Sequence, residues 1–204
     1  MKIFSISLIV GAVAFAGCFA KKEHKAAFVA TPVSFIKASF KTVGPTAETE
    51  VTWLSFSEAM EKSKSKKLPI FIDVYTDWCG WCKVMDKKTF SDPEVAKLLN
   101  EKFYAVKFNA EQTQDVIFKG TTYKFVASGR SGYHEFAAAL LNNKLSYPTV
   151  VFLNEDYDMI SPVAGFREAP EFHMLAKFIG DGHYKTMKFE DWKKDYKSPY
   201  SPKP

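Results

Sequence analysis

The sequence predicts an α/β fold, a central mixed sheet flanked by helices, and three observations predict it. Leu68 to Tyr75 is a nearly continuous apolar run of strand length, as expected of a central strand covered on both faces. A helical pattern separates it from a second apolar run, Phe103 to Phe108, and that order predicts a βαβ unit with parallel pairing and a right-handed crossover. Val150-Val151-Phe152-Leu153, a turn at Asn154-Glu155-Asp156 and a strand from about Met159 towards Gly165 then add a β-hairpin. The 204 residues are 47% hydrophobic and 25% charged, which supplies one sizeable core and excludes collagen-like, low-complexity and multi-pass membrane chains.

From Ile3 to Ala20 the chain carries no charge, and Lys2 precedes the apolar run Leu8 to Ala16, the layout of a secretory signal at 1–20. Two processing routes overlap there. Phe15-Ala16-Gly17-Cys18 resembles a lipobox, with a signal at 1–17 and Cys18 as the lipid-carrying first residue; Cys18-Phe19-Ala20 also reads as a small-x-small site cut before Lys21. The expected location is the periplasm or cell envelope, with membrane attachment only through a lipid on Cys18. Residues 21–50 lack a sustained period and read as a linker or arm, ahead of a domain over 51–197.

Ser55-Phe56-Ser57-Glu58 is a capping-box pattern opening a helix to about Lys66. A helix continues after Cys82 through Val84 and Met85. Ser91-Asp92-Pro93-Glu94 combines a capping box with an early Pro and starts another, ending near Asn100. An insertion at 111–146 holds a hairpin around Lys119-Gly120 and a short helix, Tyr133 to Leu141. It is read as a wall beside the site or an added packing element. Helices at Ala169 to Ile179 and about Phe189 to Tyr196 close the domain, before a frayed tail at 198–204.

The charge balance, 28 basic against 23 acidic residues, is mild and its lysines are interspersed with acids, so no nucleic-acid partner is expected. The cysteine count is three, and once Cys18 is lipidated or discarded one pair remains, Cys79 and Cys82. A single close pair does not staple a domain of this size, so it is free for chemistry. At a strand-to-helix junction, the helix N-terminus favours a thiolate on Cys79, and Cys82 lies one turn later on the same face. Cys79 is then the nucleophile and Cys82 the resolver of a mixed disulfide. Structural zinc would need two more ligands, yet the histidines are dispersed at 24, 134, 173 and 183, so no metal is expected. His134 and His173 read as ordinary surface or interface residues.

Asp73 stands alone among apolar neighbours; buried, it would hold a raised pKa and accept the proton of Cys82, and otherwise it reaches solvent at the strand end. Lys107 either faces Asp73 from the adjacent strand or is solvated. The Tyr147-Pro148 bond is either cis, with an accessible extended backbone, or an ordinary trans edge.

Together these residues resemble the thioredoxin family: Asp73 on a strand, Trp78-Cys79-Gly80-Trp81-Cys82-Lys83, Val106-Lys107-Phe108-Asn109, Pro148-Thr149 and Gly165, in that order over about Val51 to Gly180. The run from Cys79 to Met85 followed by Phe90-Ser91-Asp92-Pro93-Glu94-Val95 is most similar to the exported branch of DsbD-type thiol:disulfide interchange proteins. The resemblance implies a thioredoxin fold, thiol-disulfide exchange, cis Pro148 beside the cysteines, Asp73 as buried acid and Lys107 as its partner. Trp81 stands where thioredoxin itself has Pro, which leaves the direction of electron flow open. Trp78, Gly80, Trp81, Tyr147 and Pro148 are the expected substrate-facing residues, with Trp78 shielding the pair. The expected partners are protein disulfides or thiols and an upstream redox protein, with the Cys79–Cys82 disulfide in place of any cofactor. Two other readings are a Cu(I)-carrying module and a structural envelope lipoprotein with an inert pair.

Overall fold

The computed structural model describes residues 50–129 and 131–200. The expected signal, Cys18 with its two processing routes, residues 21–49 of the arm and 201–204 of the tail lie outside the described residues. Ser55 caps α1 (Phe56–Ser65) with both halves of the expected capping box, its hydroxyl accepting from Glu58 N–H while the Glu58 carboxylate accepts from Ser55 N–H. Strand β1 (Ile70–Tyr75) leads to α2 (Gly80–Met85), which runs on into a π-helical turn, Asp86–Phe90. Then come α3 (Pro93–Lys102) and β2 (Tyr104–Asn109), which pairs with β1 in parallel, Asp73 opposite Lys107.

The segment before Pro148 departs from expectation. The hairpin at Lys119-Gly120 is present as β3 (Val116–Phe118) and β4 (Thr121–Tyr123), both turn residues at positive φ as a tight two-residue turn requires. A second hairpin follows, β5 (Phe125–Ser128) with β6 (Ser131–His134), so Tyr133 and His134 belong to a strand. Helix α4 (Glu135–Leu140) starts only after His134, whose Nδ1 accepts from Phe136 N–H and whose Nε2 lies 3.0 Å from Gln114 O. His134 is thus a buried helix cap, not a surface residue.

The remaining elements are β7 (Thr149–Leu153), β8 (Met159–Ala164), α5 (Ala169–Gly180) and the short α6 (Phe189–Trp192), with 3₁₀ turns at His183–Lys185 and Lys193–Asp195. The sheet order is β2-β1-β7-β8, with β1 antiparallel to β7 and β7 to β8, which makes it the mixed sheet expected. Strand alternation sends Phe71, Ala105 and Phe152 to one face, under α3 and α5, and Ile72, Val74, Val106 and Val151 to the other, under α1 and α4. Asp73 and Lys107 share the parity of Phe71 and Ala105. Two further expectations are corrected. His173 is buried, bonded through Nδ1 to the Tyr196 hydroxyl at 2.7 Å, and Tyr200 is not frayed but donates its hydroxyl to Asp92 Oδ1 at 2.6 Å and packs against the α3–α5 core.

Candidate active site

Cys79 sits at the N-cap of α2, its N–H donating to Thr76 O at 3.1 Å. It forms a disulfide with Cys82, the Cα atoms 5.3 Å apart, and its Sγ accepts from Cys82 N–H at 3.1 Å. When the bond opens, that backbone donor is aimed at Cys79 Sγ, where it would favour a thiolate over a thiol. The cysteines are 4% and 3% exposed, whereas the flanking Trp78 and Trp81 are 66% and 62% exposed.

Asp73, 2% exposed, accepts one ion pair, from Lys107 Nζ at 2.9 Å, and its other oxygen has no partner among the described residues. Burial pushes its carboxyl up to about 6, against the opposing pull of Lys107. Lys107 also pairs with Asp86, in the π-helical turn, and lies 4.7 Å from the Trp53 ring centroid. Burial alone would lower its pKa, but the two carboxylates more than offset this and the net shift is upward. Trp53 is placed there by Leu54, which bridges the edge of β2 in parallel. Sequence reasoning paired Lys107 with Asp73 and missed Asp86 and Trp53. Neither carried a signal in the sequence, where Asp86 stands before two lysines as on a solvated helix face.

The Tyr147–Pro148 bond is cis, and Pro148 O accepts from Gly165 N–H at 2.8 Å, which joins this loop to the end of β8. Tyr147 packs edge-on against Trp78, centroids 5.9 Å apart, and Trp78 Nε1–H donates to Glu111 Oε1 at 2.9 Å. On the other side Trp81 packs on Phe166 at 5.5 Å. Gly80, between the cysteines, has open space where a side chain would stand. No group of three or more His, Cys, Asp or Glu side chains among the described residues is placed to hold a metal ion. A cavity of about 360 Å³, lined by Phe56, Met60, Phe108 and Ile117 among others, touches neither cysteine.

A thioredoxin fold that carries a Cys-x-x-Cys disulfide at the head of the helix after its first central strand defines a thiol-disulfide oxidoreductase at the level of class. Among such proteins, this chain belongs to the DsbH thioredoxin family described as "Protein of unknown function, DUF255", whose sequence model matches residues 36–175. An uncharacterized protein of Caenorhabditis elegans is 29% identical over 153 residues, 74% of this chain and 18% of that protein. Spermatogenesis-associated protein 20 of Rattus norvegicus is 33% identical over 88 residues, 43% of this chain and 11% of that protein. Thiol:disulfide interchange protein DsbD of Cronobacter sakazakii is 31% identical over 116 residues, 56% of this chain and 17% of that protein. The chain spans less than a fifth of the length of each of these relatives. A solved structure described as "DsbH Oxidoreductase" superposes with TM-score 0.50 at 18% identity, covering 70% of this chain and 93% of that one, a likeness of fold.

Proposed function

We propose that this protein is an exported oxidoreductase that reduces or isomerises protein disulfides through Cys79 and Cys82. The observation that carries the reading is the disulfide at the head of α2, with a buried carboxyl of raised pKa on the strand leading into it. In the reducing direction the Cys79 thiolate bonds one sulfur of a substrate disulfide, and the substrate bond breaks to release a thiolate. Asp73 accepts the Cys82 proton, and Cys82 attacks Cys79 Sγ to expel the second substrate thiol. Two electrons pass to the substrate, and an upstream dithiol restores the pair. Tyr147 and Pro148 offer backbone to the substrate beside the cysteines. Export rests on the uncharged stretch Ile3 to Ala20, and lipid attachment on Cys18. No helix among the described residues is long and apolar enough to cross a membrane.

The test is a pair of variants. Cys79→Ser is expected to abolish exchange, and Cys82→Ser to accumulate mixed disulfides visible on non-reducing gels. Equal turnover in the two variants overturns the mechanism. The potential of the pair in a thiol-disulfide buffer is expected nearer about −270 mV than about −120 mV, as for a reductant.

A further inference from the structure

The flank of the disulfide that carries Trp78 is an acidic network. Asn109, the last residue of β2, donates its side-chain N–H to Asp77 Oδ2 at 3.1 Å and accepts from Glu111 N–H at 2.8 Å through its own Oδ1. Glu111 in turn holds the Trp78 indole, and its charge adds to burial in pushing the Tyr147 phenol up. Neither Asp77 nor Glu111 forms a salt bridge with a lysine or arginine among the described residues. Lys83, exposed on α2, takes no part in these hydrogen bonds. On the opposite flank Trp81 and Phe166 make an uncharged ledge. The adjacent Arg167 is engaged by the carbonyls of Ala164 and Gly165 and by Glu171.

We infer that this rim selects its partner: a cysteine in an extended polypeptide with a basic residue on the side of Asp77 and Glu111 and an aromatic or aliphatic residue on the side of Trp81 and Phe166. The inference rests on the exchange reading above and adds the class of substrate. Two carboxylates without a counter-ion among the described residues attract a cation at low cost, since both remain near water, and they repel a carboxylate brought to the same place. Two exposed tryptophans, each braced by a second ring, present apolar area that is already ordered, so little side-chain entropy is lost on contact. Glutathione, whose two carboxylates outnumber its one amine, meets the wrong sign of charge on this rim.

The experiment follows the reduced full chain, carrying Cys18→Ser so that one thiol pair reports, as it reduces three disulfides. Two are synthetic peptides with an internal disulfide, identical except for Lys-Phe or Glu-Phe beside one cysteine; the third is oxidised glutathione. The Lys peptide is expected to react about tenfold faster than the Glu peptide at low salt, with the ratio shrinking as salt rises and glutathione slowest. In the double variant Asp77→Asn, Glu111→Gln, which keeps an acceptor for the Trp78 indole, the two peptides are expected to react alike. Trp81→Ala is expected to slow both peptides together. Equal rates for the two peptides in the unmodified rim, or glutathione as the fastest substrate, overturn the inference. Equilibration of the pair with dithiothreitol separates the two readings: a pair that cycles but does not discriminate sinks the rim alone, and one that does not cycle sinks the exchange reading with it.

Discussion

At Asp73 one carboxyl meets two opposing demands. Burial favours the protonated acid, whereas the role proposed for it, accepting a proton from Cys82, requires the anion, and a pKa of about 6 makes both forms accessible near neutrality. The shift also sets how stability depends on pH. The folded-state value lies above the ordinary 3.8, so the carboxyl contributes stability below about pH 4 and loses it as pH rises through about 6. Asp73→Asn is therefore expected to be more stable than the parent at pH 8, by up to about 3 kcal/mol at 1.36 kcal/mol per pH unit, and no more stable at pH 4. Urea unfolding at the two pH values checks this. The same variant is expected to release mixed disulfides at least about tenfold more slowly at pH 7.5, read by quenched-flow trapping. Asp73 was legible as a lone acid in an apolar strand, whereas spacing left Lys107 either facing it or solvated, and the family resemblance supplied the pairing. The second carboxylate on Lys107 was not legible, because Asp86-Lys87-Lys88 reads as a solvated helix face until the turn is seen to be π-helical.

Among the elements, α3 shows how two overlapping signals are resolved. Ser91 and Glu94 fit a capping box, but Pro93 favours the first helical position, and that moves the cap to Asp92. Its Oδ1 accepts from Glu94 N–H, Val95 N–H and the Tyr200 hydroxyl, while Ser91 donates to Lys87 O. Asp92→Ala is expected to cost about 1–2 kcal/mol through the cap, with Asp92→Asn nearer neutral, both measured by chemical denaturation. The strands with continuous apolar runs and the helices with clear caps were legible. The hairpin of β5 and β6 was not, since Ser128 to Gly132 offers small and polar residues instead of apolar alternation. Its register is fixed by packing: a Cβ at Gly132 would lie 2.2 Å from the Phe125 ring. Within the insertion, α4 packs into the core through Phe136 and Leu140, and Glu111 accepts a hydrogen bond from the Trp78 indole.

Over the whole molecule, the segment beyond α5 completes one of the two cores. Trp192 and Phe189 pack on Phe178, Tyr196 reaches His173, and Tyr200 closes on Asp92, 108 residues away in the chain. Tyr200→Phe is expected to cost about 1 kcal/mol for the lost hydrogen bond, and Tyr200→Ala about 3 kcal/mol with the ring, a difference that thermal unfolding resolves. Such long-range closure has no local signature, which is why the residues from 198 onward read as a tail in the sequence. The order of the central strands has the same long reach, because β1 pairs on one side with β7. A chain leaving the ribosome exposes Cys79 and Cys82 well before Thr149–Leu153 has been made, and Tyr147 and Pro148 arrive only with that strand. The sheet around the pair can therefore close only after the chain has been made through Leu153.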